Sequence, residues 1–228
     1  MKLISDSSFY WYFKRKFRKS NISTHGFSQY GQDLFVRKLL EDENKGFFLD
    51  IGANDGISLS NTYFFEKLGW NGICVEPNPE LFNKLEQSRL CHCINACITS
   101  DDGIVKFIQI SGPANMLSKI VNQKDPHSLD RIEKEISQKG GNKKIIDIDS
   151  ISPSTLFKRF EISNVDFLSI DTEGNELQIL KAIDYSNISI KVISVENGTR
   201  SSTIFRFLTS KGFKLVTCIG CDEVYIRK

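Results

Sequence analysis

The sequence predicts an α/β fold: a doubly wound, mostly parallel sheet closed by an antiparallel C-terminal strand. Three observations carry that expectation. Short apolar runs alternate with segments of helical spacing along most of the chain. Several of those runs end in an acid followed by a turn signal, as parallel strands do where they feed a loop. The last two runs, near 213–218 and 223–227, follow each other with no room for a crossover helix, so they pair antiparallel.

The 228 residues suffice for one well-filled domain, and 40% hydrophobic with 25% charged residues is ordinary for a globular chain. Residues 1–27 stand apart as a basic, aromatic extension with helical character. Lys2, Lys14, Arg15, Lys16, Arg18 and Lys19 face only Asp6, and Phe9, Trp11, Tyr12, Phe13 and Phe17 lie among them. Such a mixture suits either peripheral contact with an anionic membrane through residues 9–19 or a helix packed on the domain. It lacks the order of a signal peptide, and no apolar run approaches the roughly 20 residues of a membrane span. The net charge of +2 gives no reason to expect nucleic acid as a partner.

The domain spans residues 28–228. A first helix carries Phe35, Val36, Leu39 and Leu40 on one face. Phe47–Ile51 is a buried strand; Gly52-Ala53-Asn54-Asp55-Gly56 is a tight loop, and Ser58, Ser60 and Asn61 can cap a helix to about Leu68. Gly72–Val75 is the second strand, ending at Glu76, and Pro77-Asn78-Pro79 opens a helix with Leu81, Phe82 and Leu85 inward. Cys91–Ile98 forms the third strand and its exit, with Asn95 toward the loop, and Ile104–Ile110 a further strand.

Residues 111–144 change character, rich in Gly, Ser, Asn and Lys, and are expected to form a substrate-side insertion, either a flap or a surface loop. Leu129, Ile132 and Ile136 keep helical spacing within it. Ile145–Ile148 is a short strand, and Ser152-Pro153 caps a helix with Leu156, Phe157 and Phe160 inward. Asp166–Ile170 and Lys191–Val195 are buried strands ending at Asp171-Thr172-Glu173-Gly174 and Glu196-Asn197-Gly198. The helix between them buries Leu177, Leu180 and Ile183, and another covers 201–210.

The first loop has neither the glycine spacing of a dinucleotide binder nor the Lys of a P-loop. Its acids Asp50 and Asp55 repel a pyrophosphate and attract a cation, while Glu76 suits two ribose hydroxyls. A nucleoside with a cationic appendage fits S-adenosylmethionine. Asp50, Gly52, Ala53, Asn54, Asp55 and Gly56 are then candidates for its methionine part, Glu76 for its ribose, and Asn78 and Asn95 for the adenine. Asp50, Glu76, Asp171 and Glu196 all end predicted strands, and in a parallel sheet those ends share one rim. Several carboxylates gathered there need a cation, hydrogen bonds or a shared proton.

Cys74, Cys91, Cys93, Cys97, Cys218 and Cys221 are six thiols whose β-like settings favour reduced, structural roles over a zinc site, as suits the cytoplasm. Of the histidines, His25, His92 and His127, only His92 could reach the rim, and His127 lies in the insertion.

In this order, Ser28-Gln29-Tyr30-Gly31-Gln32-Asp33, Phe48–Gly56, Val75-Glu76-Pro77 and Asp166–Glu176 give the chain from about Ser28 onward a family resemblance. It resembles the FkbM-type S-adenosylmethionine-dependent methyltransferases. The resemblance implies a Rossmann-like seven-stranded sheet and methyl transfer, commonly to a hydroxyl of a sugar, glycan or related metabolite. Residues 1–27 fall outside it and 111–144 match it poorly. For the chemistry, Asp171 leads as general base with Glu173 and Glu196 beside it. The alternative is Mg²⁺ or Mn²⁺ held by Asp171, Glu196 and Asn197. Two other classes compete. A nucleic-acid methyltransferase would explain the basic N-terminus, but the chain has no basic stripe and no N/D-P-P-Y sequence. A non-catalytic nucleoside-binding module would need no acid pair.

Overall fold

The computed structural model describes residues 26–121 and 126–228. The basic extension, its membrane-contact segment 9–19 and His25 lie outside the described residues, as does the side chain of His127.

Eleven strands and seven α-helices are described: β1 (Phe47–Ile51), β2 (Asn71–Val75), β3 (His92–Ile94), β4 (Cys97–Ile98), β5 (Gly103–Ser111), β6 (Lys119–Ile120), β7 (Asn142–Ile151), β8 (Asn164–Ile170), β9 (Ser189–Glu196), β10 (Phe213–Ile219) and β11 (Asp222–Arg227). The helices are α1 (Gln32–Leu39), α2 (Tyr63–Lys67), α3 (Pro79–Ser88), α4 (Pro126–Lys139), α5 (Pro153–Arg159), α6 (Glu176–Ala182) and α7 (Ser202–Ser210).

The main sheet has seven strands in the order β10-β11-β9-β8-β1-β2-β3. Its pairings from β9 through β8, β1 and β2 to β3 are parallel, and β11 runs antiparallel to both neighbours. Side chains alternate across the sheet, as the pleat requires. Leu49, Ile51, Leu168, Ile170, Ile193 and Val195 point to one face, where Leu156 and Phe157 of α5, Ile179 and Leu180 of α6, and Ile204 and Leu208 of α7 cover them. Phe48, Cys74, Phe167 and Val192 point to the other, under Val36 of α1, Phe65 of α2 and Leu85 of α3. Burial on both faces is why these strands read as unbroken apolar runs.

Three expectations need revising. The third run divides: β3 stays in the main sheet, whereas β4 leaves it for a second sheet ordered β4-β7-β5-β6. The 111–144 insertion is neither a loop nor a free flap. β5 and β7 are antiparallel partners from Gly103↔Ser150 to Ser111↔Asn142, and the segment between them folds into a 3₁₀ turn (Asn115–Leu117), β6 and α4. Ile108, Ile110, Ala114, Leu117 and Ile132 give this unit its own apolar core. β7 also runs well past the expected Ile145–Ile148.

Among the described residues no helix is long and apolar enough to cross a membrane.

Candidate active site

The glycine loop is built by three strand ends locked together. The amides of Gly52 and Ala53 donate to the Val75 carbonyl at 2.9 and 3.1 Å, and the Asp171 amide donates to the Ile51 carbonyl at 2.9 Å. Gly52 adopts φ +90°, and a Cβ there would sit 1.7 Å from the Asp171 carbonyl oxygen. Only glycine lets β1 and β8 release their chains this close together.

Glu76 is buried at the tip of β2. Its two carboxylate oxygens accept the amides of Asn54 at 2.9 Å and Asn78 at 2.8 Å. Burial pushes its pKa up to about 7, against the pull of those two amides, and the charge of Asp50 adds to the rise. Gly52, Asn54, Glu76, Pro77, Leu81, Ile98, Phe107 and Met116 line a cavity at the carboxyl ends of β1 and β2. The glycine cradle and the carboxylate beside it are donor and acceptor chemistry that S-adenosylmethionine fits: backbone at close approach and an acid for vicinal hydroxyls.

The other expected cofactor residues act indirectly. Asp50 lies on the α1–α3 face with Phe48 and accepts the Thr62 hydroxyl at 2.6 Å; burial raises its pKa, eased by Thr62 and Arg89. Asp55 folds back on its own turn, accepting the amides of Ile57 and Ser58 at 3.0 and 2.7 Å. Although partial burial opposes it, the Ser58 and Ile57 hydrogen bonds hold its carboxyl below the usual range. Neither acid lines the cavity, so the loop's charge is not aimed at a ligand there. Ala53 is buried, and Gly56 packs against Leu85, Ser88 and Arg89. Asn78 is wholly buried as the N-cap of α3, and its amide nitrogen reaches the Ile110 carbonyl and the Ser118 hydroxyl at 3.2 and 3.0 Å. Asn95 braces the turn after β2 through the carbonyls of Glu76 and Pro77. His92 begins β3 at the end opposite the rim, exposed beside Phe160.

Asp171, Glu173 and Glu196 do come together. Asp171 borders the cavity and is exposed there. Desolvation, with the charges of Glu196, Asp222 and Glu173, raises its pKa well above the carboxylate range. It is hydrogen-bonded to Glu196, whose pKa burial also raises, with Glu176 and Asp222 adding to the rise. Two carboxyls hydrogen-bonded to each other share one proton, so the pair carries a single negative charge. Glu173, at a left-handed φ of 57°, is pushed up to about 7 by burial and by Glu196, against Arg131 and Lys119. Its carboxylate pairs with Arg131 at 3.1 Å. A second, wider cleft lies on this side, lined by Lys119, Arg131, Glu173, Gln178, Glu196, Thr199 and Ser201.

Asn197 does not join the acids. Its amide nitrogen donates to the Ser201 carbonyl and to Glu223, each at 2.7 Å, and its oxygen accepts the Ser201 amide at 3.0 Å. The three-ligand metal set thus loses its neutral member to the start of α7. Among the described residues no group of three His, Cys, Asp or Glu side chains is arranged to hold a metal ion. All six thiols are free.

Sequence reasoning missed three participants. Asp222, opposite Glu196 across β9 and β11, receives the Gln32 side-chain amide at 2.9 Å. That contact explains the Gln32 of the N-terminal sextet, while Asp33 beside it gathers the Ser28 hydroxyl at 2.6 Å. Arg89 is buried and donates to the Gly56 carbonyl at 3.0 Å and the Thr62 hydroxyl at 3.1 Å, bracing the loop from behind. Met116 comes from the insertion and had no motif around it.

The raised Glu76 carboxyl makes a prediction about pH. Ribose hydroxyls donate to the ionised form, so affinity for S-adenosylhomocysteine should climb from about pH 5 to about 7 and then level off. Stability of the ligand-free protein runs the other way. The folded state holds this proton more tightly than the unfolded chain, whose value is near 4.5, so the contribution is lost as pH rises from there to about 7. Titration calorimetry on Glu76→Gln should show a roughly tenfold or larger loss at pH 8, about 1.5 kcal/mol or more, and no pH dependence below 7. An unchanged affinity and slope would remove Glu76 from the ribose.

Comparison with known proteins gives one family match: the model described as Methyltransferase FkbM domain covers residues 50–215. No curated protein matches the chain. Among solved structures, a TehB-like SAM-dependent methyltransferase from Corynebacterium glutamicum aligns at a TM-score of 0.41 with 12% identity, over 88% of this chain and 89% of that one. A precorrin-6y C5,15-methyltransferase from Geobacter metallireducens aligns at 0.41 with 11% identity, over 94% of each chain. On the family match, which covers most of the domain and both strand-end motifs, the chain belongs to the FkbM methyltransferases and is an S-adenosylmethionine-dependent enzyme.

Proposed function

We propose that the enzyme methylates a hydroxyl of a sugar, glycan or related metabolite, with the Asp171–Glu196 pair taking up the hydroxyl's proton. The observation that carries this reading is the position of the acids between two openings. Asp171 borders the cavity of Glu76 and Gly52, Glu196 borders the wider cleft, and Glu173 borders both. S-adenosylmethionine supplies the methyl group from the first opening. The acceptor enters the second, where Gln178, Thr199, Ser201, Lys119 and Arg131 offer hydrogen bonds suited to a polyhydroxylated ligand. The insertion, which contributes Lys119 and Arg131, forms the acceptor side.

Glu196 is the member of the pair that borders the acceptor cleft, so the reading puts the shared proton on Asp171 and the negative charge on Glu196. That carboxylate accepts the proton of the attacking hydroxyl, and Asp171 steadies it through their hydrogen bond. Transfer of labelled methyl to a panel of sugars, nucleotide sugars and cell-surface glycans tests the reading. Incorporation into at least one hydroxyl acceptor is expected, and incorporation only into RNA or DNA would overturn it. Activity toward that acceptor should survive exhaustive chelation and gain nothing from Mg²⁺ or Mn²⁺, because Asn197 is committed elsewhere. Loss on chelation with recovery on Mg²⁺ would assign the acids to a metal instead.

A further inference from the structure

We propose that Cys91 and Cys74 are an oxidisable pair, a modification site at which a hydroperoxide converts two neighbouring thiols into a disulfide. The proposal does not depend on the methyl acceptor or on the acid pair. Cys74 lies within β2, and Cys91 stands just before β3, the strand that pairs with β2. Their sulfurs are 3.5 Å apart, in contact but unbonded. Cys93, the residue level with Cys74 on the neighbouring strand, donates its thiol to the Cys91 carbonyl at 3.6 Å and also lies against the Cys91 thiol, so Cys91 stands between Cys74 and Cys93.

The surroundings divide the labour between the two thiols. Arg89 lies beside them with its side chain buried and its Nε 3.2 Å from Glu66, whose same oxygen takes the Cys91 amide at 3.1 Å. The neighbouring thiols of Cys74 and Cys93 and the Arg89 charge hold the Cys91 thiol below the ordinary range, whereas burial raises Cys74. Thiolate character is what makes a cysteine reactive toward peroxide. Access fits as well: Cys91 is half-buried and lines a surface cavity with Leu90, His92 and Phe160, while Cys74 is fully enclosed. The other cysteines lack this combination. Burial pushes Cys97 and Cys221 up to about 12, and Cys218 is buried in the core.

The chemistry balances with hydrogen peroxide as oxidant. The Cys91 thiolate attacks one peroxide oxygen, the O–O bond breaks, and hydroxide leaves to be protonated to water. Cys91 is then a sulfenic acid. The Cys74 sulfur attacks the Cys91 sulfur, an S–S bond forms, and the S–O bond breaks. The departing hydroxide takes up the Cys74 proton as the second water. Two thiols are oxidised and one peroxide is reduced to two waters.

The test uses the full chain, reduced and then exposed to a modest excess of hydrogen peroxide. Thiol titration under denaturing conditions should show two of the six thiols lost, and a reductant should restore them. A non-reducing digest should contain one cross-linked peptide pair, Cys74 with Cys91. Cys91 should be consumed at least tenfold faster than Cys97, Cys218 or Cys221. Cys93→Ser should leave the cross-link intact, and Cys74→Ser should stop at a Cys91 sulfenic acid that a dimedone-type reagent traps. Retention of all six thiols, a Cys91–Cys93 link, or equal consumption of the core cysteines would overturn the proposal.

Discussion

A Gly52→Ala protein is expected to lose at least a hundredfold in affinity for S-adenosylhomocysteine, and about 2 kcal/mol or more in stability. The left-handed φ alone costs roughly 1–2 kcal/mol for any residue with a Cβ. The contact is worse, because the new carbon would lie 1.7 Å from the Asp171 carbonyl oxygen. That oxygen cannot give way cheaply, since the Asp171 amide is tied to Ile51 and the Gly52 amide to Val75. Relief must separate β1 from β8 at the rim, which moves the loop that carries Asn54 away from Glu76. Calorimetry and urea unfolding on the same sample check both parts. Affinity within threefold of the parent would mean the loop tolerates the displacement, and the cradle would not be the cofactor's.

Glu196→Gln should lower kcat by about 10²–10⁴, the usual share of a positioned general base, with affinity for S-adenosylhomocysteine retained. Asp171→Asn should cost less than about tenfold. The amide still donates to Glu196, as the protonated Asp171 does, so the ionised member of the pair keeps its partner. The acidic limb of the kcat profile should therefore be similar in the parent and Asp171→Asn. In both, activity rises with pH as Glu196 ionises, above the ordinary glutamate value of 4.5 because of burial and the nearby Glu176 and Asp222. The reverse ranking, with Asp171→Asn the crippled variant, would make Asp171 the base.

How far the sequence carries depends on what each residue announces locally. Strands buried on both faces, such as β1, β8 and β9, show themselves as apolar runs ending in an acid, and all three were legible. β7 was legible only in part, as Ile145–Ile148, because Lys144, Ile145 and Asp147 are exposed and its partner β5 lies across the whole insertion. Glu76 was legible from its place at a strand tip. Asp50 was misleading for a reason the pleat supplies: it shares a side with Phe48, so it points under α2 rather than into the cavity. Asn197 looks like a ligand in sequence, but an Asn just past a strand also suits the turn into α7, and that is its use. Arg89 and Asp222 carry no motif. A basic residue after a helix and an acid in a hairpin both resemble solvated surface until long-range packing buries them.

Asn78 has an outcome for the order of events in turnover. Its amide holds Glu76, its side-chain oxygen caps α3, and its side-chain nitrogen holds Ile110 and Ser118 at the base of the insertion. One residue therefore joins the ribose site, through its backbone amide, to Ser118, through its side chain, and the neighbours of Ser118, Leu117 and Lys119, line the wider cleft. Whatever free energy the first ligand gains by ordering this junction, the second no longer has to supply, and linkage makes the benefit equal in either direction. Steady-state kinetics should accordingly show each substrate lowering the dissociation constant of the other by the same factor, a synergy that Asn78→Ala removes from both at once.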